Sequence, residues 1–282
     1  MAEDQSAMEL HKKKIAEINA KILAQFPFET VIVPGAEALA AWEDLKRANR
    51  GAPVIIGNED SFLRVAEDAV NSWEIGPPRE ELDIANGLRH PADLRAMRKE
   101  SELRFSPHRE PHTPPLGEWP AEPPEEAGLT VVYEYVLPPA KPLPPGIAAA
   151  LLAGDTAAFF AAAPEGRFEV SEKVWTALIP ADDWTAIPAY LNWGGWNANP
   201  APEYHVAALR SWRDRYGAEL VGMSHDVMNI RVSRRPETRQ EALELAREHY
   251  DYCDCPIYRG VGSVSNLATA LMAHNWWYFW WD

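Results

Sequence analysis

The sequence has little of what most often announces an activity. It carries two cysteines, Cys253 and Cys255, one residue apart. Neighbours at i and i+2 rarely reach disulfide geometry, so a disulfide-stapled fold is excluded and a reducing compartment is expected. A glycine-rich phosphate cradle is lacking, because the turn after the first apolar run reads Pro34-Gly35-Ala36-Glu37. There is no G-x-S-x-G, no H-E-x-x-H and no P-loop. Long apolar runs are absent too. The longest, Ile147 to Ala163, is mostly alanine and is broken by Gly154, Asp155 and Thr156, which is too weak for a transmembrane span. The opening MAEDQSAMELHKKK has no apolar core of a signal peptide. A soluble, cytoplasmic chain without a membrane partner is the expectation.

Basic charge is also short, with 27 Lys and Arg against 42 Asp and Glu and a net charge of −15. Residues 1–141 hold 25 acids and 16 bases, and residues 142–282 hold 17 acids and 11 bases. Neither half has the cationic surplus that phosphate neutralisation needs, so no nucleic-acid partner is expected. The one basic cluster, Arg231, Arg234, Arg235 and Arg239, reads as solvated surface at a strand end and helix start. An acidic surface of this kind suits a basic protein partner.

What is present is a globular composition, 46% hydrophobic and 24% charged, which excludes a disordered chain. A length of 282 residues suggests two domains. Helical periodicity marks residues 6–26, 36–49, the stretch after Asn58 or Asp60, and Pro91 to about Phe105. Phe28–Gly35 and Ala52–Gly57 are apolar strands, and the β–α–β–α order favours a parallel pair with a right-handed crossover. Seven prolines between Pro107 and Pro124, with His108 and His112 among them, mark a linker or irregular excursion. Leu129–Leu137 is a strand, Pro138–Gly146 a second proline-rich stop, and residues 147–163 one or two alanine-rich helices. The boundaries expected are an N-terminal α/β region 1–105, a proline-rich segment 106–128 and a C-terminal α+β domain 129–282.

From Phe168 the pattern is α+β, with a small mixed or antiparallel sheet covered by helices. Val174–Pro180 is a strand. Pro202–Tyr216 is a helix with the stripe His205, Leu209, Trp212 and Tyr216, and Gly217 ends it. A hairpin turns near Ser224 to Asp226. Thr238 and Glu241 form a capping box for a helix over about 239–252, whose stripe is Ala242, Leu245, Ala246 and His249. Ser263 starts a helix to about His274. The aromatic close, Trp276 to Trp281, reads as a terminal strand buried on both faces.

Twelve tryptophans are present, nine of them at or after Trp175. The run Trp175 to Trp184, the run Ile187 to Asn197, the helix ending Trp212 to Val221, the helix Glu241 to Tyr250 and the closing Trp277 to Asp282 resemble, in this order, the bacterial domain of unknown function 4253. The likeness covers about residues 170–282. It departs where Tyr252-Cys-Asp-Cys-Pro-Ile257 stands in place of a single Cys-Pro-Asp-like step. The resemblance implies a bacterial, intracellular α+β domain and brings no activity, cofactor or catalytic residue.

Three places can host chemistry. In Trp193, Gly194, Gly195, Trp196 and Asn197, paired glycines free the backbone while two indoles and an amide suit a ring-shaped ligand; the bland alternative is a tight turn whose tryptophans plug the core. His205 and His249 lie on apolar helix stripes and can approach each other across the hairpin, or serve singly as core histidines. His225 with Asp226 offers a carboxylate-held imidazole or an ordinary turn. His249, Cys253 and Cys255 have partial zinc chemistry but lack a fourth ligand and the usual spacing, so no metal and no cofactor are expected. The expected function is a non-catalytic protein-binding module, for example an acidic immunity protein against a basic toxin. The alternatives are an enzyme or small-ligand binder with a Trp/His-lined pocket, and a scaffold recruiting partners through the proline-rich residues 107–145.

Overall fold

The computed structural model describes residues 2–73, 78–105, 113–124 and 171–281. The expected strand Leu129–Leu137, the stop Pro138–Gly146, the alanine-rich helices of 147–163 and His108 and His112 lie outside these residues, as does the Trp73 side chain. The elements are α1 (Ala2–Gln25), β1 (Glu29–Val33), α2 (Ala38–Ala48), β2 (Ala52–Gly57), α3 (Glu59–Trp73), α4 (Arg79–Gly87), α5 (Ala92–Phe105), β3 (Val174–Ile179), α6 (Pro202–Tyr216), β4 (Ala218–Met223), β5 (Val227–Val232), α7 (Arg239–Tyr252), α8 (Val264–Ala273) and β6 (Trp276–Trp280). The fold is α+β, as the pattern of the second half indicates. No described helix is long and apolar enough to cross a membrane.

One mixed sheet of six strands, in the order β1-β3-β2-β4-β5-β6, organises the chain. The expected neighbouring parallel pair of β1 and β2 does not form. β3 lies between them, antiparallel to both. The burial pattern gives the reason: every residue of β3 and β2 is buried, which suits central strands, whereas β1 leaves Ile32 51% exposed at the edge. The parallel step is instead β2 against β4, at Ile55 and Gly222. Strands from the first and second halves of the chain therefore share one sheet.

Alternation of side chains divides this sheet into two faces. Val54, Ile56, Trp175, Ala177, Leu220, Ile230, Trp277 and Phe279 point into the main core with Trp212 of α6, Leu245 of α7 and Leu267 of α8. The opposite face meets α2, whose Trp42 donates its indole N–H to the Pro53 carbonyl at 2.9 Å. Beside it Arg231 pairs with Glu43 at 2.5 Å and with Glu219 at 3.0 Å. β6 corrects the expectation of burial on both faces. Trp277, Phe279 and Trp281 are buried, while Trp276, Tyr278 and Trp280 are half-buried, because β6 is the last strand of the sheet.

The helix caps follow the sequence. The Asn58 side chain accepts from the Ser61 amide at 3.0 Å, Thr238 from Glu241 at 3.2 Å and Ser263 from Asn266 at 3.2 Å. Gly217 closes α6 in the left-handed region at φ 58°. Helix α4 had no expectation, because its nine residues offer few apolar positions. The described part of the proline-rich segment is docked on α8. The carbonyls of Pro115 and Leu116 each accept, at 2.9 Å, the Val264 and Ser265 amides that the helix start leaves unpaired.

Candidate functional site

The loop that links the Ile187–Tyr190 helical turn to α6 takes an unusual path. Asn192, Gly194, Gly195 and Asn197 all have positive φ, at 49°, 110°, 80° and 49°. Asparagine and glycine are the residues that tolerate this region. Gly194 is also a close approach, since a Cβ there would sit 2.1 Å from the Pro200 carbonyl oxygen and 2.7 Å from His205 Nε2. The Gly195 amide donates to Pro200 at 2.8 Å and the Asn199 amide to Trp196 at 2.8 Å, which closes the loop on itself.

The two tryptophans of the loop have different fates. Trp193 is buried, and its indole N–H donates to the carbonyls of Ser224 at 2.8 Å and His225 at 3.1 Å. It thereby pins the loop to the β4–β5 turn and packs on Trp281 and His205. Trp196 is half-buried and stacks on His225, with centroids 5.2 Å apart and planes 7° from parallel. Trp196 Nε1 and His225 Nδ1 have no hydrogen-bond partner among the described residues. Asn197 is exposed.

His205 and His249 are core residues. His205 shares a 2.5 Å hydrogen bond between Nδ1 and the Tyr252 hydroxyl, and aromatic rings close around it. Burial drives its pKa down to about 3; the Pro200 carbonyl works against this, and the Arg98 and His90 charges add to it. His249 lies among Trp277 at 4.6 Å, Phe279 at 4.8 Å and Trp212 at 5.3 Å. Its pKa is also driven to about 3 by burial, against the opposing pull of Glu248. The two histidines are not ring neighbours; the chain of ring contacts between them runs through Tyr252 and Phe279. Both are neutral at ordinary pH and enclosed by rings, which suits packing rather than proton transfer with a solute.

Asp226 does not hold His225. Its carboxylate accepts from Ser224 Oγ at 3.3 Å and from Trp280 Nε1 at 3.2 Å, so it clamps the turn to β6. Asp68 of α3 lies within electrostatic range of His225. Burial raises the Asp68 pKa, and the His225 charge opposes this. The His249, Cys253 and Cys255 set does not converge on a common point, because the His249 ring packs on Trp277 while Cys253 Sγ donates to the Trp280 carbonyl at 3.0 Å. No group of three His, Cys, Asp or Glu side chains among the described residues can hold a metal ion.

The most concentrated electrostatics lie elsewhere. Glu248 is 5% exposed and accepts from Trp212 Nε1 at 2.5 Å, from Arg215 at 2.8 Å on both oxygens and from His90 Nε2 at 3.1 Å. Burial pushes its pKa up, but His90 and Arg215 outweigh this and hold it at about 2. Sequence reasoning missed the network because His90 is 158 positions from Glu248. The one available signal was a glutamate directly beside the apolar stripe of α7. A groove of about 290 Å³ lies away from the loop, between Trp119, Pro120, Pro123 and the Thr269–Ala273 end of α8.

Neither a curated protein nor a solved structure matches the chain. Residues 176–282, from β3 to the end of the chain, match the family model described as Domain of unknown function (DUF4253).

Proposed function

We propose that the chain is a non-catalytic protein-binding module that works in the bacterial cytoplasm on a basic protein partner. The observation that carries this is the exposed face of α4. Glu80, Asp83 and Ile84 follow i, i+3, i+4 spacing and share one side of the helix. Ile84 is 45% exposed, Glu80 and Asp83 are exposed, and neither acid makes an ion pair with a described residue. An apolar anchor beside unpaired carboxylates suits a surface rich in Lys and Arg, with the net charge of −15 drawing such a partner in. The walled-in, neutral His205 and His249 take two candidate catalysts out of the competing enzymatic reading.

The test is capture from a native lysate at low and at physiological salt, with the wild type beside Ile84→Ala and the double change Glu80→Lys, Asp83→Lys. A stoichiometric basic partner is expected, bound about tenfold or more weakly by the double variant, a difference of about 1.4 kcal/mol. No stoichiometric partner at either salt, or equal capture by all three proteins, removes the proposal.

A small-ligand reading keeps one specific support, the half-exposed stack of Trp196 on His225 with unpartnered ring nitrogens. Resonance changes confined to these two residues during titration with planar heterocycles would favour it, and their silence would remove it.

A further inference from the structure

The described part of the proline-rich segment runs along α8. It starts on the Val264 and Ser265 amides, and the Gly117 carbonyl accepts from Ser265 Oγ at 3.1 Å. Gly117 lies so close to the helix start that a Cβ there would meet the Ser263 side chain at 2.5 Å. Farther on, Trp119, Pro120 and Pro123 stand off from Thr269, Met272 and Ala273 and leave the groove of about 290 Å³ between them. Its walls are apolar, because the Thr269 hydroxyl is engaged with the Asn266 carbonyl at 2.9 Å. Trp119, Met272 and Ala273 are half-buried, so the groove is reachable from solvent. Two exposed arginines are fixed to these walls. Arg239 holds its guanidinium 4.3 Å from the centroid of the Trp119 ring. Arg235 donates from Nη1 to the Ala273 carbonyl at 2.6 Å. Among the described residues neither arginine pairs with a carboxylate. Glu241 is engaged with the Glu237 amide at 3.0 Å, and Glu118 and Glu122 of the proline-rich segment form no ion pair with either.

We propose that this groove binds a free, medium-chain aliphatic carboxylate, with the alkyl chain against Trp119 and Met272 and the head group on Arg235 and Arg239. Charge complementarity selects the head. The chain as a whole is strongly acidic, at a net charge of −15, yet the two guanidiniums on this groove lack counter-charges among the described residues. Arginine presents a planar fork of N–H donors that matches a carboxylate, and Arg235 spends one of its five on Ala273. The walls select the tail, because they offer it apolar surface and no free polar partner. The volume selects the length. It lies at the low end of small-ligand sites, which run from about 300 to 1,000 Å³, so a short alkyl chain fits and a long-chain lipid does not. The site is independent of the protein-binding surface on α4.

Octanoate is the probe, titrated into the full chain carrying 13C-methyl methionine. The chain has six methionines, and Met223 and Met228 are fully buried in the core, so they serve as internal controls. The Met272 methyl resonance should shift saturably while those of Met223 and Met228 stay in place. Octanol should bind about tenfold or more weakly, because it cannot accept charge-assisted hydrogen bonds on two oxygens, and octylammonium should not bind. The double change Arg235→Gln, Arg239→Gln should weaken octanoate by about tenfold or more and bring it level with octanol. Ala273→Leu, which fills the groove, should weaken both ligands and leave thermal unfolding unchanged. Silence of Met272, equal shifts at the core methionines, octanol as tight as octanoate, or wild-type affinity in the double variant would each overturn the proposal. An apolar peptide with a free C-terminus that binds more tightly than octanoate, or a Met272 shift on dilution of the protein alone, would assign the groove to a protein chain and overturn it as well.

Discussion

Lowering the pH from 7.5 to 5 should weaken the fold by about 4 kcal/mol, through two histidines that the native core keeps neutral. His205 and His249 have folded-state pKa values of about 3 against an ordinary 6.5. With the pKa depressed in the folded state, the unfolded chain binds more protons below 6.5, so stability is fully present above that pH and falls as pH drops toward 3. At pH 5 each histidine contributes about 2 kcal/mol of this loss. The pair alone then removes a large part of a typical 5–15 kcal/mol stability. The titratable and charged groups that act on these rings are Arg98 and His90 at His205, and Glu248, His90 and Arg215 at His249. Glu248 acts in a separate window. Its folded pKa of about 2 contributes stability that is present above about 4.5 and is lost only as pH falls toward 2. The assay is urea unfolding at pH 7.5, 6, 5.5 and 5, with the extrapolated free energy plotted against pH. His249→Leu removes one of the two titrations and leaves no polar atom behind, so it should roughly halve the slope between pH 6 and 5. A stability at pH 5 within about 1 kcal/mol of that at pH 7.5, or a His249→Leu slope equal to the wild type's, would refute the reasoning.

Glu248→Gln should cost about 3 kcal/mol in thermal or urea unfolding, because it strips the counter-charge from Arg215 in a buried network that also holds His90. Gly194→Ala and Gly195→Ala should separate strain from space: both have positive φ, but only Gly194 has a carbonyl and an imidazole where the Cβ would go. The first should lose about 2 kcal/mol or more and the second about 1 kcal/mol, and equal losses would contradict the close approach. Ser263→Ala should lower stability by about 1 kcal/mol through the missing cap on the Asn266 amide, with faster amide exchange confined to the first turn of α8.

Local signals in the chain were legible to the extent that local physics controls them. The stripes of α6 and α7, the Thr238 and Ser263 caps and the glycine at the end of α6 were readable from periodicity and side-chain chemistry, and the structure has them in place. The aromatic close reads as a strand from its residue types and is one. Part of the candidate site was readable in the same way. The asparagines and glycines around Trp193 signalled positive-φ backbone, and that is what the loop uses. The sequence neighbours His225 and Asp226 misled, because the Asp226 carboxylate bonds Ser224 and Trp280 while the His225 ring stacks on Trp196.

By itself, then, the sequence determined the α+β class, the positions of most helices and strands, the acidic surface and the aromatic weight of the second half. Only the tertiary structure decided that β3 lies between β1 and β2, that Trp193 is core while Trp196 stays at the surface, and that His90, Glu248 and Arg215 meet. The physical reason is distance along the chain. Caps and stripes act over three or four residues, whereas strand order and buried charge pairing are settled by which distant surfaces exclude water best when packed together.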